Sequence, residues 1–160
     1  MAEENAASTE EQQARFVIQK IYTKDISLET PNSPNIFREE WQPELDLQLG
    51  NEHNKIDDDT HEITLTVTAT AKVSDKVAFL VEVKQAGVFT LTGYTDQEMG
   101  PLIGSYCPNT LFPFAREVIS DLVLKAGFPQ LVLSPVNFDA LYMQQMEQAQ
   151  QQAATAAPTH

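Results

Sequence analysis

Cysteine, basic side chains and long apolar runs are all scarce in this chain, and each scarcity excludes a class of protein. The single cysteine, Cys107, excludes an internal disulfide and a cysteine metal cluster. The longest apolar runs, such as residues 77–81, fall far short of the roughly 20 residues that a membrane-spanning helix needs. The N-terminus is acidic and polar, without the basic start and apolar stretch of a secretory signal. We therefore expect a cytoplasmic protein with no direct membrane insertion.

Basic residues are outnumbered throughout the sequence. The 160 residues include 23 acidic and 10 basic side chains, which gives a formal net charge of -13. Nucleic acid is an improbable partner, because its recognition requires a basic surface. The excess is concentrated in residues 25–62, which contain eleven acidic residues and only two basic ones, Arg38 and Lys55. This segment is either a solvated face or a docking surface for a cationic partner, and the charge pattern alone leaves both open.

Composition divides the chain into one folded domain and two tails. A hydrophobic fraction of 42% is enough for one core in a chain of this length. Residues 1–14 are polar and carry four glutamates, which predicts a disordered acidic tail. Residues 147–160 are rich in Gln and Ala, which predicts a second disordered tail. The folded domain is then residues 15–146.

The first half of the domain has the two-residue period of β-strands. The clearest run is residues 63–71, where apolar side chains alternate with threonines. Three further strands are indicated at residues 16–22, 45–49 and 77–92. Between the first two, residues 30–43 contain three prolines together with Ile36, Phe37 and Trp41. An irregular loop with such large apolar groups is expected to cross a core or to line a binding surface.

The second half has helical periodicity. A helix is predicted from about Asn109 to Ala126, ended by Gly127, and Pro113 is tolerable there only near the first turn. A last helix is predicted to begin near Asn137. Strands followed by helices favour an α+β fold with an antiparallel sheet. If the helices cover only one face of that sheet, the other face needs a partner or a polar surface.

No motif in the sequence predicts catalysis, a bound cofactor or a metal. The phosphate-binding loop, the dinucleotide-binding glycine pattern, the nucleophile elbow and the zinc protease motif are all missing. The three histidines have no metal-ligand spacing. Cys107 precedes a predicted helix, which can activate a thiol, but a buried structural cysteine is the favoured interpretation. We expect a protein that is not an enzyme and uses no cofactor.

Large apolar side chains are abundant in the loops and early helical turns. Ordinary core packing explains any one of them, and a groove for an extended apolar peptide is the functional alternative. Spacing does not choose between the two. The residues that we assign to a candidate groove are Phe37, Trp41, Tyr106, Leu111, Phe112, Phe128 and Phe138.

Several stretches in this order resemble the SecB family of bacterial export chaperones. They are IYTKDISLETP at residues 21–31, WQP at 41–43, VAFLVEVKQAGVF at 77–89, CPNTLFPFARE at 107–117 and SPVNFDALYM at 134–143. The resemblance spans about residues 16–146. It implies a four-stranded antiparallel sheet with helices on one face. It also implies a homotetramer, built as a dimer of dimers, that binds unfolded preproteins without ATP and delivers them to the translocation ATPase SecA.

The resemblance also implies roles for individual residues. Positions matching the family's acidic SecA-docking surface are Asp25, Glu29, Leu80 and Glu82. Positions matching those linked to tetramer assembly are Val81, Val83 and Gln85, on the alternate face of the same strand. The implied partners are therefore SecA, unfolded preproteins and further copies of the chain.

Overall fold

The computed structural model describes residues 13–156. Four strands come first and the α-helices follow, in the predicted order. The strands are β1 (Arg15–Glu29), β2 (Glu44–Lys55), β3 (Thr60–Val73) and β4 (Lys76–Thr92); a short 3-10 helix (Asn35–Arg38) lies between β1 and β2; the helices are α1 (Asp96–Pro101), a π-helical turn (Leu102–Tyr106), α2 (Cys107–Lys125) and α3 (Phe138–Thr155).

All four strands join one antiparallel sheet in the order β1-β4-β3-β2, which confirms the predicted fold class. Because β1 and β2 lie at opposite edges, residues 30–43 must cross the whole sheet to connect them. Within this connection Ile36 is buried in the core, and the Trp41 ring stacks on Phe79 at a centroid distance of 6.5 Å. The expectation that this loop crosses the core is confirmed.

The two faces of the sheet differ in chemistry. The face that carries the odd-numbered residues of β3, here called the inner face, is apolar and includes the fully buried Leu65 and Val67. The opposite, outer face carries Thr64, Thr66, Thr68 and Thr70. The threonine alternation in the sequence therefore predicted which side of β3 would be packed and which would be left polar.

Helix α2 packs on the centre of the inner face. Leu111, Ala115, Ile119 and Val123, spaced four residues apart, are all fully buried. Among the strands, the helix contacts mainly β4 and β3, the two central ones. The middle of the inner face is therefore sealed within one chain.

The start of α2 differs from the prediction. The helix begins at Cys107, and the π-helical turn joins it directly to α1. Pro113 is consequently the seventh residue of α2 rather than a residue of its first turn. A proline there removes one backbone hydrogen bond, so packing against the sheet outweighs the local cost. The predicted end is confirmed, since Gly127 has a φ of 90° just after the C-cap.

Helix α3 is longer than predicted. It begins after Asn137, whose side chain accepts a hydrogen bond from the Ala140 backbone N–H, as expected for an N-cap. It then continues to Thr155, so the prediction that residues 147–155 are a disordered tail is wrong. Alanine and glutamine are good helix formers, and they extend a helix that has already been nucleated. Most of the predicted N-terminal tail lies outside the described residues.

Within residues 13–156, no helix is long and apolar enough to cross a membrane.

Candidate docking and client-binding surfaces

The outer face brings together the four residues predicted to dock SecA. Asp25, Glu29, Leu80 and Glu82 all lie on this face, within adjacent strands β1 and β4. Glu29 pairs directly with Leu80, and Glu82 pairs with Ser27 one step further along. Paired residues of antiparallel strands have Cβ atoms about 5 Å apart, so the four form one contiguous patch, here called the outer patch.

The outer patch has a further carboxylate that the sequence did not reveal. Thr70 pairs with Leu80 on one side and with Asp46 of β2 on the other. The row across the sheet is therefore Glu29, Leu80, Thr70, Asp46. Alternation placed Asp46 on one face of β2, but only the strand order shows that this face is shared with Glu82. The acidic surface thus has carboxylates on β1, β4 and β2, with threonines of β3 between them.

The outer patch is not uniformly acidic. Lys84 pairs with Asp25, and Glu82 accepts a hydrogen bond from Thr68 Oγ1 at 3.1 Å. An adjacent lysine makes the potential of the patch less negative, and the Thr68 hydroxyl donates to one oxygen of the Glu82 carboxylate.

Three outer-face side chains form a polar network beyond this patch. The Tyr22 hydroxyl donates to Glu62 Oε2, and Lys24 Nζ lies 2.9 Å from Glu62 Oε1. The tyrosine hydrogen bond and then the lysine hold the pKa of Glu62 below its usual value. The same hydrogen bond raises the pKa of Tyr22. Glu62 is therefore engaged within the chain, unlike the freer carboxylates of the outer patch.

The residues predicted at the tetramer interface lie in the core of one chain. Val81 and Val83 are 0% exposed and Gln85 is 2% exposed, all on the inner face. Gln85 Oε1 accepts a hydrogen bond from Thr23 Oγ1 at 3.0 Å. The chain's own core covers these three residues, and their link to tetramer assembly stays a prediction. An effect on assembly would have to act through the packing beneath the helices.

Three of the predicted groove residues do meet. Phe37, Trp41 and Phe128 form an aromatic cluster with Phe79, with centroids 5.0 Å apart for Phe37–Phe128 and 5.4 Å for Trp41–Phe128. Phe79 was missed, although its place in a strongly apolar strand indicated burial. Phe37 is 49% exposed, and Trp41 is half-buried. The cluster therefore presents an accessible aromatic surface at one end of the inner face.

The other groove residues are dispersed. Tyr106 packs against Phe16 at 4.9 Å, and Phe112 packs against Phe138 at 5.7 Å. Leu111, Phe112, Phe128 and Phe138 are at most 6% exposed. These four residues complete the chain's own core in the structure described, and their place in a client groove stays a prediction. Phe37, Trp41 and Tyr106 keep accessible surface.

Helix α2 leaves both margins of the inner face partly open. On the β1 side, Ile18 is 44% and Ile26 is 46% exposed. On the β2 side, Leu45 is 45% exposed. A residue such as Val83, paired with Ile26 and lying nearer the helix, is fully buried. Apolar surface thus lies exposed along two edges of one face.

Cys107 is fully buried, and burial raises the pKa of its thiol to about 12. The thiol therefore stays protonated at neutral pH and is a poor nucleophile. Among residues 13–156, no three His, Cys, Asp or Glu side chains are grouped closely enough to hold a metal ion. The structural interpretation of the cysteine fits this geometry.

Comparison with known proteins agrees with this architecture. The family model described as "Preprotein translocase subunit SecB" matches residues 9–149. The chain belongs to the SecB family. It is 58% identical to the protein-export protein SecB of Nitrosococcus oceani over 159 residues, which cover 96% of this chain and 97% of the relative. It is 53% identical to the corresponding protein of Methylococcus capsulatus over 158 residues, which cover 99% of each chain.

A solved structure shows the same fold. The SecB-like chaperone of Mycobacterium tuberculosis, in complex with a ChAD peptide from the HigA1 antitoxin, has a TM-score of 0.64. The match covers 76% of this chain and 91% of that chain, with 16% sequence identity. SecB proteins are chaperones of protein export rather than enzymes, and this chain is a member of that family.

Proposed function

We propose that this SecB chain works in the cytosol as a homotetramer that holds unfolded secretory preproteins without ATP and delivers them to SecA. The observation that carries the client-binding part is the exposed apolar surface of the inner face. Ile18, Ile26 and Leu45 line its margins, and Phe37 and Trp41 lie at one end. Native single-chain proteins seldom leave this much of one sheet face open without a partner or a ligand.

Extended apolar polypeptide is the ligand that such a surface suits. Burying about 1,000 Å² of apolar client surface would release on the order of 25 kcal/mol before costs. Ordering the client and losing its free motion offset much of this, which leaves a reversible complex. Folded proteins expose no such segments, so they would not compete.

Assembly into a tetramer is supported by apolar surface on the solvent side of α2. Phe114 is 47% and Leu124 is 50% exposed, and Val132 in the following loop is 66% exposed. Leu124 and Val132 line an open groove of about 420 Å³ together with Pro113 and Arg116. A second copy packed here would cover this surface while leaving the outer patch free.

Delivery to SecA is assigned to the outer patch. Its carboxylates Asp25, Glu29, Asp46 and Glu82 point away from the helices, so a partner could bind there while a client occupies the inner face. A basic partner segment would be steered by these charges and would pair with them.

One experiment tests the central claim. A chemically unfolded preprotein is diluted to native pH without ATP, with and without the purified protein, and light scattering is followed. We expect scattering to fall as the protein approaches one tetramer per client, while a folded acidic protein of similar net charge has no effect. Unchanged scattering from a sample that sedimentation shows to be tetrameric would contradict client binding.

A further inference from the structure

A pair of histidines joins strands β2 and β3 next to the hairpin that connects them. His53 of β2 and His61 of β3 are diagonal neighbours on the inner face, since His53 pairs with Ile63 and His61 with Lys55. His53 Nε2 lies 2.8 Å from His61 Nδ1, and the rings stack at a centroid distance of 5.1 Å. The two imidazoles therefore share one proton in a direct hydrogen bond.

The two rings have different surroundings. His61 is 3% exposed, and its Nε2 is a buried atom without a hydrogen-bond partner in the part of the chain described. His53 is exposed as a residue, so water is available to its side chain as it is not to His61. A buried bare nitrogen costs less than a buried N–H without an acceptor. The favoured tautomer therefore has His61 Nδ1–H donating to His53 Nε2, with the second proton of the pair on Nδ1 of the exposed His53.

This arrangement leaves no favourable place for an additional proton. A proton on His53 Nε2 would put two N–H groups face to face. A proton on His61 Nε2 would create a buried cation whose N–H has no acceptor. If the shared proton moves from His61 Nδ1 to His53 Nε2, a neutral His61 ring must carry its own proton on Nε2. That places the same buried N–H without an acceptor on His61. The first route breaks the hydrogen bond that joins the two strands, and the other two keep it only by burying an N–H group without an acceptor, so every route destabilises this part of the hairpin.

Charged groups around the pair come mainly from the hairpin. Lys55 lies on the inner face beside His61 and opposes protonation of both rings. Asp57 and Asp59 of the turn favour protonation of His61. From β4 the residue paired with His61 is Phe89, which carries no charge. Burial is the largest influence, and it lowers the pKa of both histidines.

We propose that His53 and His61 form an acid-sensitive clasp that holds the hairpin end of edge strand β2 on β3 at neutral pH and releases it when the pair is protonated. Released residues would be the end of β2, the turn and the start of β3, residues 52–61. The central strands would stay folded, because their contacts do not involve the pair. The clasp is a property of one chain and is independent of client binding.

Amide hydrogen exchange, corrected for the intrinsic effect of pH, tests the clasp. Between pH 7.5 and pH 5 we expect exchange of residues 52–61 to accelerate about tenfold relative to Val81 and Val83, by a local opening. His53→Gln is the matched variant, because its amide oxygen can accept from His61 Nδ1–H but cannot titrate. Its hairpin should stay protected at pH 5. Equal acceleration in both proteins, or none in the natural one, would overturn the proposal.

A second measurement, on the natural protein, tests the proposal even if the His53→Gln variant folds poorly. Nitrogen-15 shifts of the imidazoles report which ring nitrogen carries the proton, and single substitutions of the three histidines assign the signals. At pH 7.5 we expect His61 protonated on Nδ1 and His53 bare on Nε2. A His61 ring protonated on Nε2 at that pH would overturn the assignment, and so would ordinary titration near pH 6.5.

Discussion

The Tyr22 hydroxyl of β1 reaches across β4 to Glu62 of β3. Between the two strands lies Ala86, which pairs with Tyr22 and is fully buried although it belongs to the outer face. A small residue at that position leaves room for the tyrosine to lie over β4. The contact therefore ties three strands together on the face of the sheet opposite to α2.

Removing that hydroxyl should weaken the sheet in a pH-dependent manner. Tyr22→Phe should lower the free energy of unfolding by about 1 kcal/mol at pH 7, because Glu62 loses a donor. The pKa of Glu62 is lowered in the folded state, so its contribution is present above its ordinary value of 4.5 and is lost as pH falls through the folded pKa. Urea unfolding of both proteins at pH 7 and at pH 3.5 measures the difference.

The Tyr22→Phe effect has a clear control. Tyr94→Phe removes a hydroxyl from the segment after β4, and its effect should not change with pH in this range. Tyr22→Phe, by contrast, should cost less stability at pH 3.5 than at pH 7. If its cost is the same at both pH values, as expected for Tyr94→Phe, the hydrogen bond to Glu62 is not what Tyr22 contributes.

Charge reversal in the outer patch should separate delivery from client holding. Asp25→Arg together with Glu82→Arg should abolish binding to SecA, since two attractive charges become repulsive. Suppression of client aggregation should be unchanged, because the inner face is untouched. Isothermal titration with SecA and light scattering with an unfolded preprotein measure the two activities.

A matched variant controls for net charge. Asp58→Arg with Glu147→Arg changes the charge by the same amount at exposed positions away from the outer face. It should retain SecA binding. Loss of both activities in a well-folded patch variant would argue against separate surfaces, and loss of SecA binding in the control would show that net charge alone is responsible.

The aromatic cluster should divide into a stabilising residue and a binding residue. Phe128→Ala should cost about 3–5 kcal/mol of stability, because its ring is 5% exposed and fills space between three other rings. Phe37→Ala should cost about 1 kcal/mol, since half of that ring is already in water. Yet Phe37→Ala should weaken client binding several-fold.

Urea unfolding and a client-binding assay measure the two effects. Ile56→Ala, which removes an exposed apolar side chain at the β2–β3 hairpin, is the control and should leave client binding unaltered. A Phe37→Ala variant with full client affinity would remove the cluster from the proposed binding surface.

The sequence predicted the strands better than the surfaces. Residues 63–71 alternate cleanly because one side packs on α2 and the other side faces water, and both requirements are local. The grouping of Glu82 with Asp46 depends on strand order, which a two-residue period does not specify. The burial of Phe112 and Phe138 depends on how α2 and α3 meet, and an aromatic residue in an early helical turn suits a core or a groove equally well. The His53–His61 contact was likewise invisible, because it results from the register of two strands.

The placement of α3 rests on two glycines that accept one tyrosine ring. A Cβ atom added to Gly104 would come within 2.6 Å of Tyr142 Cε2, and one added to Gly100 would collide with the Tyr142 hydroxyl. The contacts of α3 with other helices and strands are mainly to the π-helical turn, so this close approach positions the start of α3 together with the packing of Phe138 on Phe112. Gly104→Ala should therefore displace the start of α3, although alanine has the higher helix propensity.

The displacement can be assigned by a double-mutant cycle. We expect Gly104→Ala to destabilise the protein by about 1–3 kcal/mol through overpacking, and to increase hydrogen exchange along α3. Tyr142→Ala removes the ring, so adding Gly104→Ala to that background should cost little or should stabilise through propensity alone. Equal costs of Gly104→Ala in both backgrounds would mean that the tyrosine is not the obstructing group. In that case the start of α3 would be positioned by its other contacts, which are the packing of Phe138 on Phe112 and the hydrogen bond that the Ser105 hydroxyl donates to Asp139.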